Sequence, residues 1–382
     1  MKRRDLLLSL PAATACPWLL AAPSEPGVQK TEILFGQTAD LTASRAAITK
    51  AYSEGAGLHF AEVNAAGGIG GRRIRVLQLD DGYDVNRASD NARVLVEERN
   101  VFALVHSVGT AIADRLLPYV EERRVPFVHA LTGADQVRPP ARPSKEAFFL
   151  RASYGREIDR IVKQLKTQGV VSRIALIYED EPFGHGIRDA TAQAMKANGL
   201  ALLASGVLPP NQTSAAAVAP AVATLIKAAP AAIIVGSAGP SVEQFIQAYH
   251  DAGGNARYYC LSVSNVDRLY RALGPLSEGI VIAQVMPAPD TSNIPVVVEY
   301  RKLAAARAAT PSTFGLEGYI SARMIVQSLR QNASQPTRAR FTAALAAQSE
   351  VAGFPVRYKA DSREGSPFVG LAMIGASGHL VT

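Results

Sequence analysis

The sequence is poor in cysteine and tryptophan, with two cysteines and one tryptophan among 382 residues. Cys16 lies in an N-terminal stretch with the pattern of a leader, where lipid attachment is a minor alternative. A mature chain would then keep Cys260 alone, form no internal disulfide and bury this residue as a small hydrophobe. Stability must therefore come from core size. A hydrophobic content of 48% over this length is enough for two domains with their own cores.

Catalytic motifs are also missing. The sequence contains no Gly-x-Ser-x-Gly and no paired His/Cys spacing of the kind that holds a metal. The glycines over 67–71 resemble a dinucleotide loop, but they follow a helical pattern and precede a strand, which is the opposite order. We expect neither enzymatic activity nor a cofactor nor a metal. His106 and His129 are expected to be core or edge residues, with coordination of a metal or ligand as the alternative.

Basic residues outnumber acidic ones modestly, 40 to 33. Removing a leader of residues 1–27 would leave a net charge of about +6. The basic residues are spread over predicted helix faces, without a basic block interleaved with aromatics. Nucleic acid is therefore not expected as a partner.

The N-terminus has the order of an export signal. A charged start, Met1-Lys2-Arg3-Arg4, precedes an apolar stretch over 6–20 and two small residues. Pro11 and Pro17 interrupt the apolar stretch, which disfavours a membrane anchor. The paired arginines resemble a twin-arginine signal, with ordinary secretion as the alternative. We expect residues 1–27 to direct export and the mature protein to lie outside the cytoplasm.

Strand-like and helix-like segments alternate along the rest of the chain. Among them, 101–105 is expected to be a strand, and 46–63, 111–122 and 186–197 are expected to be helices. A first series runs to about residue 129, a proline-rich surface connection is expected over 136–147, and a second series continues to about 285. The last third is mostly helical and ends in strand-like segments at 354–359 and 368–374. Such alternation predicts parallel sheets flanked by helices. Two series predict two lobes with a pocket between them.

Four short segments stand where strand and helix patterns meet. They are Gly36-Gln37-Thr38-Ala39, Asn64 to Gly71, Val108-Gly109-Thr110 and Phe183-Gly184-His185-Gly186. In parallel α/β folds, ligands bind in the crevice at the carboxyl ends of the strands. We expect all four segments to surround that crevice.

With their neighbours, these segments resemble the periplasmic solute-binding proteins of ABC importers, of the type I fold, in the branched-chain amino acid (Leu/Ile/Val) group. The resemblance is carried by Asn64 to Arg72 with Asp80-Asp81, Val108 to Thr110 with Val125-Pro126, Ile177-Tyr178 to Gly186, and Ser277 to Ile280. The segments follow the family's order and span nearly the whole chain after the leader.

The resemblance implies an α/β fold of two lobes, each a parallel sheet flanked by helices, joined by a hinge of three crossovers. Mapped onto this sequence, lobe one is 31–150 plus 286–353, and lobe two is 151–285 plus 354–382. Closure of the lobes on a ligand would let a membrane permease recognise the loaded protein.

Ligand residues are expected first in lobe one. Gly109 and Thr110 stand at the mouth of a helix, where a hydroxyl and free N–H groups suit a carboxylate. A plain helix cap is the alternative. Leu131 and Thr132 follow the next strand, and the resemblance implies that their loop helps to grip the ligand's carboxylate and amine; a simple turn is the alternative. Arg45 is expected to be solvated at a helix start, with a bidentate clamp on an anion as the alternative.

Lobe two is expected to contribute three more residues. Phe183 stands where the family often has Tyr, and covers the ligand or packs in the core. Ala238, in the loop 236–239, is expected to contribute to the shape of the pocket rather than to its chemistry. Ser262 matches a place where amino acid binders of this group commonly have an acidic residue that pairs with the ligand ammonium. An unpaired ammonium would be costly, which favours a carboxylate without an amine, an aromatic acid or an amide-like solute. Glu179, Asp180 or Glu181 could supply the missing acid.

The resemblance therefore implies a monomeric receptor for a small carboxylate-bearing ligand, an amino acid, an aromatic acid or a related solute. Its partner would be the membrane permease of an ABC importer. The alternative is a periplasmic sensor that presents the same ligand to a membrane signalling receptor.

Overall fold

The computed structural model of the protein describes residues 25–139, 144–210, 212, 214–358 and 363–381. The export signal assigned to residues 1–27, including Cys16, lies almost wholly outside them. Cys260 is fully buried and makes no disulfide, as expected. None of the described helices is long and apolar enough to cross a membrane.

The first sheet contains five parallel strands. In chain order they are β1 (Glu32–Ala39), β2 (Arg73–Asp80), β3 (Leu104–Val105), β4 (Phe127–Val128) and β5 (Ala147–Phe148). Their order in space is β2-β1-β3-β4-β5, with β2 at one edge. The segment 101–105 was predicted to be a strand throughout, but only its last two residues join the ladder, while Val101 and Phe102 are buried beside it.

The second sheet has seven strands. They are β6 (Ile174–Glu179), β7 (Ala204–Leu208), β8 (Ala232–Gly236), β9 (Arg257–Cys260), β10 (Val281–Gln284), β13 (Gly370–Ile374) and β14 (Leu380–Val381). Two short strands, β11 (Glu350–Val351) and β12 (Phe354–Pro355), lie between β10 and β13 in the chain and pair with each other. The order is β14-β13-β10-β9-β8-β6-β7. The first five strands run parallel, and the C-terminal pair is antiparallel.

Helices cover both faces of each sheet. The described helices are α1 (Ala46–Ala65), α2 (Val85–Arg93), α3 (Thr110–Arg123), α4 (Tyr154–Thr167), α5 (Pro182–Ala197), α6 (Ala215–Ala228), α7 (Pro240–Asp251), α8 (Val266–Leu273), α9 (Pro295–Ala306), α10 (Thr313–Arg330) and α11 (Arg338–Ala346). The pattern predicted α5 from residue 186. It begins four residues earlier, because Pro182 suits the first helical position and places Phe183 in the first turn.

Apolar side chains pack on both faces of the five-stranded sheet. On β1, Ile33 and Phe35 pack with residues of α10 and α11, whereas Leu34 faces the opposite side. We call the five-stranded sheet with α1–α3 and α9–α11 the first lobe, and the seven-stranded sheet with α4–α8 the second lobe. The chain passes between them after β5, after β10 and between β12 and β13. The residue boundaries of the lobes remain predictions.

Candidate functional site

Loops from both lobes meet at the carboxyl ends of the parallel strands, the edge where α/β folds bind ligands. In the first lobe these loops follow β1, β2, β3 and β4, and in the second lobe they follow β6, β8 and β9. They enclose a cavity between the lobes. It is lined by Arg45, Ile48, Tyr83, Val108, Gly109, Thr110, Leu131, Tyr154, Phe183, Ala238 and Val263.

The space between these side chains is small. Its volume is about 20 Å³, roughly the room that one water molecule needs. The two lobes are therefore closed on each other in this structure. A solute larger than water has to enter through a more open arrangement.

Two carboxylates, Asp40 and Asp80, hold the loop after β1. Asp40 is fully buried, and its two oxygens accept the backbone N–H groups of Thr42, Ala43 and Arg45 at 3.1, 2.6 and 2.6 Å. Asp80, at the end of β2, accepts the backbone N–H of Leu41 and the hydroxyl of Thr42, both at 2.8 Å. These bonds hold the loop against the sheet edge and fix where Arg45 leaves it.

Arg45 reaches from this loop into the second lobe. Its Nη2 lies 3.0 Å from Glu179 Oε2 and 3.7 Å from Glu181 Oε1, its Nη1 donates to the carbonyl oxygen of Ala238, and its guanidinium lies over the ring of Tyr83. The residue is 5% exposed. The expectation of a solvated arginine is therefore wrong, because the Asp40 loop directs the side chain across the cleft.

The electrostatics of this corner keep Arg45 charged. Burial alone would lower the pKa of Arg45, but Tyr83, Glu179 and Glu181 raise it above its usual value. Burial, and then the charge of Glu179, raise the pKa of Glu181. Glu179 also accepts the hydroxyl of Ser237 at 2.7 Å, and Glu181 accepts that of Tyr83 at 3.3 Å. Neither carboxylate belongs to the cavity lining.

The close approach of Arg45 depends on Gly239. This glycine has a φ of 71°, and a Cβ there would lie 2.6 Å from Arg45 Nη1. A side chain would therefore be strained twice, by the left-handed backbone and by the contact. The loop after β8 thus has the one residue type that lets the guanidinium reach the Ala238 carbonyl.

The start of α3 opens onto the cavity. Its N-cap is Gly109, which has no side chain to cap the helix, so the first N–H groups of α3 have no such partner. The hydroxyls of Thr110 and Thr132 are hydrogen-bonded at 2.8 Å, and the Thr132 hydroxyl also accepts the N–H of Ala134 at 3.1 Å. Thr110 lines the cavity, while Thr132 lies behind it and stabilises a turn.

Aromatic side chains form part of the remaining wall. Phe183 is 4% exposed and packs edge-on against Tyr154, with ring centroids 5.3 Å apart. Tyr83 follows β2 with a φ of 60°, in a turn whose N–H groups bind Asp80 and Asp81. Phe183 therefore packs against Tyr154 and also lines the cavity, while its contact with a ligand stays a prediction.

Ser262 does not line the cavity. Its hydroxyl donates to Glu157 Oε1 at 2.9 Å and accepts from Arg151 Nη1 at 3.2 Å, and its N–H donates to Glu157 Oε2 at 2.8 Å. The adjacent Val263 lines the cavity instead. A buried glutamate on α4 therefore holds the loop after β9, and this loop presents an apolar side chain to the ligand side.

The segment from Asn64 to Gly71 is not at the cleft, contrary to prediction. It joins the end of α1 to the start of β2, which places it at the amino ends of the strands. There the Asn64 side chain pairs with both backbone groups of Ile74, at 2.7 and 2.8 Å. The sequence order, a helix followed by a strand, already indicated this position, because a turn that leads into a parallel strand lies opposite the edge where the strands end.

The two histidines are core residues, as expected. His106 and His129 are 2% and 0% exposed, and both bond to the hydroxyl of Ser321, at 2.8 and 2.6 Å. Burial lowers the pKa of His106 to about 3. Within the described residues, no group of His, Cys, Asp or Glu side chains is arranged to hold a metal ion.

Five of the residues predicted for the ligand line the cavity, Gly109, Thr110, Leu131, Phe183 and Ala238, and so does Arg45, for which contact with an anion was the alternative. Val108 belongs to a segment that was expected at the crevice, whereas sequence reasoning missed Ile48, Tyr83, Tyr154 and Val263. The signal for Tyr83 was its position just after the Asp80-Asp81-Gly82 turn that ends β2. Tyr154 carried no such signal, because it begins α4 immediately after the chain enters the second lobe.

A larger surface groove of about 730 Å³ lies elsewhere, between α1 and the edge strand β2. None of the residues predicted to bind the ligand lines it. Because it lies away from the cleft and belongs to one lobe, closure of the lobes would not cover a molecule in it.

Two closed lobes with strand-end loops between them define a solute-binding protein. The sequence profile of the family described as periplasmic binding protein matches residues 32–374. The chain therefore belongs to the periplasmic binding proteins, in the type I branched-chain amino acid group. Proteins of this kind bind substrates rather than convert them, and the family name implies an exported, periplasmic location.

Individual relatives agree with this assignment. A substrate-binding periplasmic protein from Ralstonia solanacearum has a TM-score of 0.84 at 30% identity, over 92% of this chain and 99% of that one. A branched-chain amino acid ABC transporter protein from Thermus thermophilus with bound valine shares the fold, with a TM-score of 0.78 at 15% identity over 92% and 95% of the two chains.

A curated relative from Brucella abortus, Leu/Ile/Val-binding protein homolog 8, is 27% identical over 187 residues. That match covers 47% of this chain and 46% of the relative. The chain thus spans about half the length of the curated relatives it matches.

Proposed function

We propose that the protein captures a small carboxylate-bearing solute between its lobes in the periplasm and delivers it to the permease of an ABC importer. The observation that supports this most directly is the start of α3, where Gly109 and Thr110 face the interlobe cavity. The ligand contacts would come from Gly109, Thr110, Leu131 and Phe183 at the wall, with Thr132 behind Thr110.

A helix N-terminus suits a carboxylate because its first N–H groups lack intrahelical partners and carry partial positive charge. At α3 this tendency is strengthened by the Thr110 hydroxyl, which Thr132 holds in place at 2.8 Å. The rest of the lining is mostly apolar or aromatic, which suits the body of an aliphatic or aromatic acid.

Capture requires the lobes to open and close. The cavity is too small to admit a solute in the closed arrangement, so the ligand binds an open form and is covered on closure. A permease could then distinguish the loaded form by the relative position of the two lobes. The Thermus thermophilus relative belongs to an ABC transporter, which favours delivery to a permease over presentation to a signalling receptor.

The first experiment is a thermal-shift screen of the purified chain without residues 1–27. The panel contains amino acids, aromatic acids, aliphatic acids, dicarboxylates and amides. A ligand at about 100 times its Kd adds roughly 2.7 kcal/mol to the unfolding free energy, which raises Tm measurably. Titration calorimetry then gives the Kd. A panel in which no carboxylate raises Tm would contradict the proposal.

A matched pair of variants locates the site. Thr110→Val should weaken binding of the best acid about tenfold or more, because a hydrogen bond to a charged group is lost. Thr49→Val is the control, since Thr49 is buried in the first lobe but outside the cavity. Equal affinities of the two variants would place the carboxylate elsewhere. Delivery is tested by uptake of the labelled acid in cells with and without the gene.

A further inference from the structure

The charge of the cavity wall is unusual for a receptor of zwitterions. Among the described residues that line the cavity, Arg45 is the only one with a full charge at neutral pH. The others are apolar residues, a glycine, tyrosines and Thr110. The wall therefore presents a cation and no carboxylate to the ligand.

The carboxylates of this corner lie behind Arg45. Glu179 and Glu181 are 1% and 9% exposed, and both face its guanidinium from the second lobe, at 3.0 and 3.7 Å. The Ala238 carbonyl oxygen accepts a further hydrogen bond from the Arg45 guanidinium. When the lobes are closed, the Arg45 guanidinium is therefore paired with two carboxylates of the protein itself.

We propose that Arg45 determines the specificity of the cleft. Because Arg45 pairs with Glu179 and Glu181, the ligand is restricted to monocarboxylates without an ammonium group. This inference rests on the proposed function, since it assumes a carboxylate ligand at the start of α3. It adds the class of acid and the residue that selects it.

An ammonium group in this cavity has two unfavourable options. It can remain beside the guanidinium without a carboxylate of its own, or it can displace Arg45 from Glu179 and Glu181. Displacement leaves a buried guanidinium without its partners, and uncompensated buried charges are strongly destabilising. A second ligand carboxylate near Arg45 would meet the two glutamates, so dicarboxylates are disfavoured too.

An acid with an apolar or aromatic body avoids both penalties. Its carboxylate binds at α3, and its body contacts apolar side chains of the lining: Ile48, Leu131, Phe183 and Val263. Arg45 then stays paired and closes the cavity as the lobes come together.

The test uses two matched pairs of probes that differ only in the ammonium group: 3-phenylpropanoate with L-phenylalanine, and 4-methylpentanoate with L-leucine. Titration calorimetry gives the Kd of each probe for the wild type, Arg45→Met and the triple variant R45M/E179Q/E181Q. Lys50→Met is the matched control, because the Lys50 side chain is 75% exposed on α1.

For the wild type we expect the acid of at least one pair to bind about tenfold or more tightly than its amino counterpart. In Arg45→Met, Glu179 and Glu181 become available, so the preference should shift toward the amino acid by a similar factor. The triple variant should lose that shift, because it removes the two carboxylates as well as Arg45. This result would show that the freed carboxylates, and not the larger cavity, cause the shift. Lys50→Met should behave as the wild type.

Three outcomes would overturn the inference: amino acids that bind the wild type as tightly as their deaminated partners, a ratio that Arg45→Met leaves unchanged, or no binding of any of the four probes. In the first two cases carboxylates still bind and the proposed function stands. That function fails only if the wider panel yields no carboxylate ligand. Should Arg45→Met not fold, the wild-type ratio decides, and Arg45→Lys should retain the preference for acids.

Discussion

Arg151 and Glu317 form a two-pronged ion pair that is shielded from solvent. Arg151 Nε lies 3.0 Å from Glu317 Oε1, and Arg151 Nη2 lies 2.6 Å from Glu317 Oε2. Their side chains are 0% and 1% exposed. Arg151 stands where the chain passes from β5 into the second lobe, and Glu317 lies on α10 of the first lobe. Because Arg151 also bonds to Ser262, this pair links α10 to a loop at the cleft.

Removing one partner of this pair should destabilise the protein strongly. Glu317→Leu leaves the Arg151 guanidinium buried without its main partner, at an expected cost of about 3–5 kcal/mol in unfolding free energy, measured by urea denaturation. The double variant R151M/E317L should recover most of the loss. The control is Asp159→Ala, which breaks the exposed pair with Lys163 and should cost less than about 1 kcal/mol. Equal losses for Glu317→Leu and Asp159→Ala would refute the argument.

Glu157 should make stability depend on pH. Burial raises the pKa of Glu157 to about 7, although Arg151 and Ser262 oppose the shift, whereas the unfolded value is 4.5. The folded protein therefore binds this proton more tightly, so the contribution is complete below about pH 4.5 and is lost as pH rises through 7. Unfolding free energy should fall by roughly 1–3 kcal/mol between pH 5 and 8 on this account.

Glu157→Gln tests this sign, because glutamine stays neutral and can still accept from Ser262. The variant should show a flatter dependence of unfolding free energy on pH between 5 and 8 than the wild type. Urea denaturation at several pH values gives both slopes. Identical slopes would show that Glu157 does not carry this dependence.

Gly239→Ala should impair closure of the lobes. Its φ of 71° disfavours a side chain, and the added Cβ would meet Arg45 Nη1 at 2.6 Å. Gly253→Ala is a matched control, with a φ of 83° and open space around the Cβ. Both variants should lose stability to backbone strain, about 1–2 kcal/mol for a left-handed residue and more at Gly239, whose ψ of −151° is essentially restricted to glycine. Only Gly239→Ala should also bind the ligand more weakly. With ligand present, its radius of gyration, measured by small-angle scattering, should be larger than that of Gly253→Ala. Equal affinity in both variants would contradict the role of the Arg45 contact.

Thr49→Val should stabilise the protein. The Thr49 hydroxyl is buried on α1 and has no hydrogen-bond partner, whereas its methyl group packs like that of valine. An apolar group of the same shape removes the cost of the unpaired hydroxyl, about 1 kcal/mol. Thermal and urea unfolding check this gain. A loss of stability would mean that the hydroxyl has a partner.

Much of the fold could be predicted, because alternating strand and helix patterns depend on local sequence. α1 was expected over 46–63 and runs to Ala65, and α3 was expected over 111–122 and is one residue longer at each end. The short strand β5 and helix α8 were missed. β5 has two residues, too few for a pattern, and α8 has only two fully buried positions, Leu269 and Leu273.

The site was only partly predictable, because strand-end loops can be recognised in sequence but their partners across the cleft cannot. Gly109 and Thr110 follow a strand directly, so their position at the cavity followed from order alone. Arg45 was misjudged, because Glu179 lies 134 residues away in the chain and nothing local indicates that the two meet. Ser262 was expected at the ligand because nothing in the local sequence indicates that Ser262 is hydrogen-bonded to Glu157.

The order of residues along the chain determined the two α/β units, the family and most of the loops that face the cleft, since each depends on periodicity and short motifs. Tertiary structure alone decided the charge of the binding site. Arg45, Glu179 and Glu181 are ordinary charged residues until two lobes close and remove them from water. Burial then makes their pairing, rather than their mere presence, the property that governs what can bind.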